Sequence, residues 1–548
     1  MKKSIQNKKD TFMSGVMTLI FSQIIVKVVG IVYKVYLTNR DGFGDTGNAI
    51  YNGGYQIYAL LLLISSIGIP NAISKMVSER VSIGDYKGAN RVFKISLVIL
   101  GIIGTIGSLI LFLGAGFIST TLLDIPESKI TLMILAPAIV LVAISSVIRG
   151  YFNGRSQMKA TANSQSLEQI LKTILTVVVV EIVAHITSND VIAMAGGATA
   201  ATTLSVVGSL IYIGKYYANR KKGFDLEIKQ ATKYEEEDTK TLIKNILKLA
   251  IPASLTSIIT SINKNIDSIT VVRGLKKITS ADEAKRLYGI LSGKVDMLTA
   301  LPLAFTIAFA TVLVPGISSA KAKGDKKAII TRIKSSFLLT LLIGFPCAFG
   351  LITFAKPILG LIFPNASDGA SILQAISVLI IFTTITQTLS GSLQGLGNYR
   401  APVVGLVLGV IVKTILNLII IPIPGIGIYG ATTSSIICHV ISFSVEMYTL
   451  KKMTKIKFEF SKFFIKPILA TAIMCMLSYG LYVLLTMVIS TRIATIIALL
   501  FAVIIYAITV IGLKILSKQE ILDLPKGEKI YNILIKTGIY KEKNDGRI

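Results

Sequence analysis

The stretch FKISLVILGIIGTIGSLILFLGAGFI, residues 93–118, decides the fold. After Lys94 it carries no charged side chain, and an α-helix needs only about 20 apolar residues to cross a hydrocarbon core of about 30 Å. Similar runs recur along the 548 residues, of which 52% are hydrophobic and only 16% charged. An average soluble domain has roughly 25% charged residues. The sequence therefore predicts an all-α integral membrane protein.

Fourteen runs have the length and composition of membrane-spanning helices. Their approximate ranges are 13–37, 50–74, 93–118, 130–150, 164–186, 191–214, 246–272, 288–313, 333–355, 371–394, 403–422, 427–450, 463–487 and 492–514. The segments between them are too short for a separate soluble domain. We therefore predict a single membrane domain.

The loops alternate in charge along the chain. Lys and Arg concentrate in the N-terminal tail and in the loops 75–92, 314–332 and 451–462. Because basic loops stay on the cytoplasmic side, we predict a protein of the cytoplasmic membrane with both termini in the cytoplasm. One segment disagrees, since 273–287 holds five Lys and Arg residues yet lies outside in this arrangement. Either it lines an anionic path, or helix seven or eight is misplaced.

This topology explains most of the net charge of +28. Nucleic-acid binding would need a basic face with a readable motif, and the sequence shows none. There is also no phosphate-binding glycine loop, no metal-ligand cluster and no Ser/His/Asp arrangement. We therefore expect no nucleic-acid partner, no cofactor and no enzymatic activity.

An internal repeat divides the chain. The segment ILKTIL at 170–175 recurs as IVKTIL at 411–416, an offset of 241 residues, and Gly-Asp at 84–85 recurs at 324–325. The offset spans six helices, so both copies enter the membrane from the same side and form parallel repeats. The predicted parts are an N-terminal lobe (1–214), a cytoplasmic linker (215–248), a C-terminal lobe (249–450), helices 13 and 14 (451–514) and a cytoplasmic amphipathic tail (515–548).

Ionisable residues inside the helices are the candidates for function, because each costs roughly 2.5–3.5 kcal/mol at the bilayer centre and usually faces a cavity or a partner. Excess lysine suits a phosphate or diphosphate group. The candidates for binding such a headgroup are Lys27, Lys34, Lys264, Arg273 and Lys294. The candidates for ion coupling or structural pairing are Asp267, Asp296, Glu168 and Lys172.

Some of these residues have simpler interpretations. Lys34 can extend to the outer surface, and Glu168 with Lys172, four residues apart, is typical of a structural pair. Glu446 lies near a helix end, where we expect it to be solvated. Arg149, at the cytoplasmic end of helix four, fits either a functional or a structural role.

Four motifs show a family resemblance. IPNAISKMVSER at 69–80 followed by GDY, RGYFNG at 149–154, LYGILSG at 287–293 and LPKGEK at 524–529 resemble the MurJ-like lipid II flippases and the stage V sporulation protein B group. These belong to the multidrug/oligosaccharidyl-lipid/polysaccharide exporter superfamily. The resemblance implies two six-helix lobes plus two extra helices, as in multidrug and toxic compound extrusion (MATE) transporters.

The resemblance also implies a function. It implies that an undecaprenyl-diphosphate-linked saccharide, such as lipid II or a related cell-wall or spore-cortex precursor, is flipped by alternating access. Membrane lipids and cell-wall synthesis proteins are then the expected partners. In MurJ-like proteins arginines line the cavity, whereas this chain offers Lys27, Lys34 and Lys294 beside Asp296. Lysine acts as a point charge without the bidentate fork of arginine.

Two other functions stay open at this point. One is an ion-coupled exporter of cationic drugs, whose cavity should be acidic. The other is a non-transporting protein of envelope or spore assembly, for which the amphipathic tail would be the working part.

Overall fold

A computed structural model describes residues 26–66, 68–230 and 237–517. These residues form helices and turns without a strand, which confirms the all-α prediction. Within these ranges ten helices are long and apolar enough to cross a membrane. The total of fourteen spans stays a prediction, and the predicted tail lies outside the described residues beyond residue 517.

The first of two compact units comprises Met1–Met297 and Thr414–Ala431. Its helices are α1 (26–39), α2 (Gly44–Ser66), α3 (Gly68–Ser82), α4 (Tyr86–Phe117), α5 (Ser128–Gly154), α6 (Met158–Ile186), α7 (Val191–Gln230), α8 (Thr239–Leu275) and α9 (Ala281–Gly289), with π-helical turns at Ile118–Leu122 and Ile290–Val295. Aromatic rings hold one end of the unit together. The Tyr151 ring centroid lies 4.8 Å from that of Phe93 and 5.6 Å from that of Phe224.

The second unit comprises Leu298–Lys413 and Thr432–Ile548. Its helices are α10 (Asp296–Ala322), α11 (Lys326–Ile362), α12 (Ala370–Ser377), α13 (Leu379–Gly395), α14 (Arg400–Ile420), α15 (Ile428–Thr454), α16 (Lys466–Thr486) and α17 (Thr491–Gly512), with a π-helical turn at Ser461–Ile465. Helices α10 and α14 cross the unit boundaries. In the core, Phe337 packs 4.6 Å from Phe458 and 6.0 Å from Phe463, measured between ring centroids.

The sequence repeat appears as a repeated turn. Asp85 caps α4 with φ −79° and ψ 69°, and Asp325 caps α11 with φ −81° and ψ 86°. Their carboxylates accept the N–H of Gly88 at 2.7 Å and of Ala328 at 2.9 Å. The glycines just before the two caps have φ of 85° and 71°, a conformation that costs glycine little. Each unit therefore enters its long helix through the same structure.

A second turn repeats at the 241-residue offset. Ser156 and Gly397 both adopt a left-handed conformation, with φ of 59° and 81°. In each case the following residue donates its N–H to the carbonyl five residues earlier, at 2.8 Å in both units. The offset read from the sequence thus corresponds to matching backbone geometry, while the parallel orientation of the copies stays a prediction.

The segment 273–287 is mostly helical. Helix α8 continues to Leu275, and α9 begins at Ala281. Ser280 caps α9 by accepting the N–H of Glu283 at 3.2 Å, as serine commonly does at the start of a helix. The extra charged residues are therefore the polar face and ends of a short helix that the hydropathy pattern alone did not separate.

The predicted linker 215–248 is also largely helical where the structure describes it. Helix α7 continues to Gln230, and α8 starts at Thr239 after an Asp238 cap. Arg155 pairs with Glu227 near the end of α7, and Arg80 pairs with Glu237. The lobe boundaries at 214 and 249 follow the repeat and stay predictions.

Candidate functional site

Charged side chains from four helices share one electrostatic neighbourhood in the first unit. The partly buried Lys34 of α1 experiences the charges of Lys172 on α6, Lys264 on α8 and Asp296, the first residue of α10. Lys264 is exposed, whereas Lys172 has only 6% of its surface exposed. The charged groups acting on Lys34 are thus two ammonium groups and one carboxylate, and such surroundings attract an anionic ligand.

Tyrosines surround the most buried of these lysines. The Lys172 ammonium lies 4.5 Å from the centroid of the Tyr55 ring and 4.8 Å from that of Tyr33. Tyr51 stacks on Tyr55 with centroids 5.6 Å apart. Aromatic faces attract cations, by about 2 kcal/mol or more where water is excluded. The Lys172 ammonium thus lies against aromatic rings, whereas the carboxylate predicted as its partner pairs with another residue.

Glu168 pairs with a different residue from the one that the sequence suggested. Its Oε2 accepts a hydrogen bond from Arg149 Nη2 of α5 at 2.7 Å. The same guanidinium donates to Ser164 at 3.0 Å and to Ser209 at 2.8 Å. Because Arg149 is 8% exposed, we assign this network the structural task of joining α5, α6 and α7.

Lys294 forms a buried ion pair. Its ammonium lies 2.8 Å from Asp45 Oδ1, and the two side chains are 0% and 9% exposed. Helix α2 approaches closely here, because a Cβ at Gly289 would lie 1.7 Å from the carbonyl oxygen of Asp45. A Cβ at Gly293 would lie 2.6 Å from the side chain of Asn48. The two glycines therefore let Lys294 reach Asp45.

Asp267 lies beside a buried amide. Asn417 donates its side-chain N–H to Asp267 Oδ1 at 3.1 Å and to Thr270 Oγ1 at 2.9 Å. Asn417 has none of its surface exposed. The amide nitrogen of α14 thus faces a carboxylate and a hydroxyl of α8, and carboxylate and hydroxyl oxygens are ligands that suit a small cation.

The remaining predicted cations are Lys27 and Arg273. Lys27 is exposed on α1. Arg273, at the end of α8, donates to the backbone carbonyl of Thr121. Their predicted role in headgroup binding stays a hypothesis.

Acidic residues neutralise the basic segment that disagreed with the topology. Lys276 lies 2.9 Å from Asp124 Oδ1, and Lys285 lies 2.8 Å from Glu127 Oε1. Arg286 pairs with Glu283 within α9 at 2.7 Å. The carboxylates of the 119–129 loop, at the far end of α4 from its Asp85 cap, thus face the lysines of 273–287. Pairing within one end of the unit explains how so many cations collect there.

These pairs change the titration of their members. Partial burial raises the pKa of Glu127, but the hydrogen bond from Lys285 and the nearby ammonium charges outweigh it and hold the pKa below the ordinary 4.5. Partial burial lowers the pKa of Lys285, but its bonds to Glu127 and Asp282 hold the pKa above the ordinary 10.5. Both groups are therefore charged throughout the neutral range.

Glu446 corrects one sequence expectation. We expected a solvated side chain near a helix end, but only 1% of Glu446 is exposed. It lies eight residues before the end of α15 at Thr454. The expectation was wrong because helix α15 continues past the apolar run and carries this position into the core of the second unit.

Sequence reasoning also missed Asp45, Asn417, Tyr33 and Tyr55. Asp45 lies in the loop between the first two predicted helices, and Asn417 is an uncharged residue in an apolar run. The spacing of Tyr51, Tyr55 and Tyr58 places three rings on one face of α2, and this was the available signal.

Two protein families and several curated proteins are similar to this chain. A family described as "Polysaccharide biosynthesis protein" matches residues 12–321, and one described as "MatE" matches residues 289–419. In Bacillus subtilis, the uncharacterized membrane protein YabM is 29% identical and covers 82% of each chain. Stage V sporulation protein B is 25% identical over 83% of this chain and 86% of its own. The lipid II flippase MurJ is 26% identical over 74% and 76%.

Two solved structures show the same fold. A lipid II flippase MurJ in an inward closed conformation superposes with a TM-score of 0.68 at 18% identity, covering 89% of this chain and 97% of that one. An inward-facing multidrug resistance MATE family transporter of the MOP superfamily gives a TM-score of 0.61 at 15% identity, covering 78% and 96%. The predicted MATE-like fold is therefore confirmed.

Proposed function

The chain belongs to the family of polysaccharide biosynthesis proteins, and on this premise we propose that it is a flippase for a polyprenyl-diphosphate-linked saccharide. It is a multi-span membrane protein and a flippase or exporter of the MOP superfamily. Among its relatives are a protein named lipid II flippase MurJ and one named probable low-salt glycan biosynthesis flippase Agl15. Lipid II or a related cell-wall or spore-cortex precursor is the substrate that we propose.

One observation carries the substrate class. Lys34 experiences the charges of two other lysines, Lys172 and Lys264, and of the Asp296 carboxylate. A diphosphate supplies the missing negative charge, and charge-assisted hydrogen bonds are worth roughly 1.5–3 kcal/mol each. A cationic drug would be repelled by the same cluster.

The residues have distinct proposed roles. Lys34 and Lys264 bind the diphosphate directly, and Lys172 adds a fixed positive charge behind them. Arg273 and Lys294 would have to exchange a carbonyl or carboxylate partner for phosphate, and Lys27 would meet the headgroup as it enters. We propose Asp267, with Asn417 and Thr270, as the site of a coupling cation. Alternating access between parallel lobes, with both termini in the cytoplasm, completes the proposal.

The test is complementation in a strain whose own lipid II flippases can be depleted. We expect the chain to restore outer-leaflet lipid II, measured with a membrane-impermeant probe. Lys34→Gln with Lys264→Gln should reduce it at least tenfold, because two phosphate contacts are lost. Lys221→Gln with Lys222→Gln is the matched control, since both lysines are exposed on α7. No restoration by the intact chain at normal expression would sink the proposal.

A second candidate is an ion-coupled multidrug exporter. The MatE match to residues 289–419 and the shared fold favour it. Efflux of a cationic dye from cells expressing the chain, with loss of efflux in Asp267→Asn, would support this candidate over the flippase. Lysine variants that leave envelope or spore formation intact would instead favour an assembly role.

A further inference from the structure

In the described part of the second unit, a buried carboxylate accepts its hydrogen bonds from two hydroxyl groups. Glu446 of α15 has 1% of its surface exposed. Its Oε2 accepts a hydrogen bond from Ser390 of α13 at 3.0 Å, and its Oε1 accepts one from Ser442 at 3.2 Å. Each carboxylate oxygen thus has one neutral donor.

Within the described residues, no basic side chain of the neighbouring helices contacts Glu446. Helix α13 contains no charged residue, and α14 carries Arg400 and Lys413. The charge of Lys413 acts on His439, two turns earlier on α15, while Lys451 and Lys452 are exposed at the end of α15. Among the described residues of the second unit, no basic side chain pairs with Glu446.

The repeat shows what the first unit does at the same place. Adding the offset of 241 takes Arg149 to Ser390 and Glu168 to Gly409. In the first unit the arginine and the glutamate form an ion pair of 2.7 Å. The second unit has neither the arginine nor the glutamate at these two positions, and its carboxylate, Glu446, lies on α15 instead. Ser390 therefore contacts Glu446 from the position that the arginine occupies in the first unit.

A buried carboxylate without a cation costs several kcal/mol. A metal ion would require several oxygen ligands, whereas the groups that contact Glu446 are two hydroxyls. A proton needs no ligand beyond the carboxylate itself, and one hydroxyl can then rotate from donor to acceptor. The geometry therefore fits H⁺ better than a metal cation.

We propose that Glu446, Ser390 and Ser442 form a proton-binding site and that H⁺ taken up and released there is coupled to transport. The coupling rests on the proposed transport function, but proton binding does not. Binding is simply the conversion of the Glu446 carboxylate and one H⁺ into the carboxylic acid, and it can be measured without substrate.

The binding test is infrared spectroscopy of the purified full chain in lipid. We expect a carbonyl stretch from a buried carboxylic acid near neutral pH, and we expect it to decline as the pH is raised by several units. Glu446→Gln should remove this band. Glu459→Gln, which changes an exposed carboxylate of the same unit, should leave it in place.

Three results would overturn the inference. These are a band unaffected by Glu446→Gln, a band that does not respond to pH while the protein stays folded, and a band abolished by Na⁺ at constant pH. Ser390→Arg provides a second variant, because it returns the arginine of the first unit. It should remove the band by pairing with Glu446, and a band that persists in folded Ser390→Arg would also contradict the proposal.

Coupling is tested separately in liposomes with an imposed pH gradient. Substrate movement by the unaltered chain should follow the gradient, while Glu446→Gln should move substrate at a rate that the gradient does not change. If the band behaves as expected but transport ignores the gradient in both proteins, H⁺ coupling is wrong. If no substrate moves at all while the band is present, the proposed function fails and proton binding stands.

Discussion

Removal of the Asp45 charge should expose how much the buried ion pair stabilises the first unit. The Lys294 ammonium lies 2.8 and 2.9 Å from the two carboxylate oxygens, with none of its side chain exposed. Asp45→Asn keeps the shape but leaves an ammonium buried without its counter-ion. Breaking one side of such a pair typically costs about 3–5 kcal/mol, so we expect a loss of this size in the free energy of unfolding.

The assay is a double-mutant cycle. Unfolding in detergent micelles is measured for the unaltered chain, Asp45→Asn, Lys294→Met and the double variant. Methionine occupies the space of the lysine side chain without its charge, so the double variant should be more stable than Asp45→Asn alone. The coupling energy between the two positions should be several kcal/mol. Single effects that simply add would refute the claim that the two charges hold each other in place.

Three further results are expected. Glu127→Gln should destabilise the protein by about 1 kcal/mol near neutral pH, where the pair with Lys285 is intact. Because the pKa of Glu127 is depressed in the folded protein, this difference in stability should vanish as the pH falls below 4.5 and through the folded pKa. A difference that stays constant with pH would contradict the pairing. Gly289→Ala should prevent folding, seen as loss of monodisperse protein, because its Cβ would lie 1.7 Å from a carbonyl oxygen. Gly397→Ala should lower the stability by about 1 kcal/mol, because residue 397 has a φ of 81°, and Ser156→Gly should raise it by a similar amount, because residue 156 has a φ of 59°. If the two variants had the same thermal stability, the shared turn would be contradicted.

The helices could be predicted because their signal is local. An apolar run of sufficient length has to be helical in a bilayer, and the predicted runs that the structure describes are helical over most of their length. Some of them are divided between two helices, as 50–74 is between α2 and α3 and 371–394 is between α12 and α13. The family could be identified for the same reason, since the motifs at 69–80 and 149–154 are short and continuous. The predicted helix ends were less accurate. Helix α7 continues through charged residues, and α9 begins within a charged segment, and hydropathy marks both stretches as loops.

Partners across helices could not be predicted. Glu168 was matched to Lys172 because they are neighbours on one helix, whereas its partner Arg149 lies on α5. Asn417 reaches Asp267 across 150 residues of sequence. Which faces of two helices meet depends on their rotation and register in the packed bundle, and a single sequence does not specify either one.

The approach of Gly289 to Asp45 also has a mechanical consequence. Where two backbones touch without intervening side chains, rotamer changes cannot absorb a displacement. Helix α2 and the segment 281–295 should therefore move as one rigid body, which the Lys294–Asp45 ion pair holds together. Since Asp296 follows directly in the chain, any shift of this segment also moves a carboxylate that acts on Lys34. Motion of α2 is therefore coupled to the surroundings of that lysine.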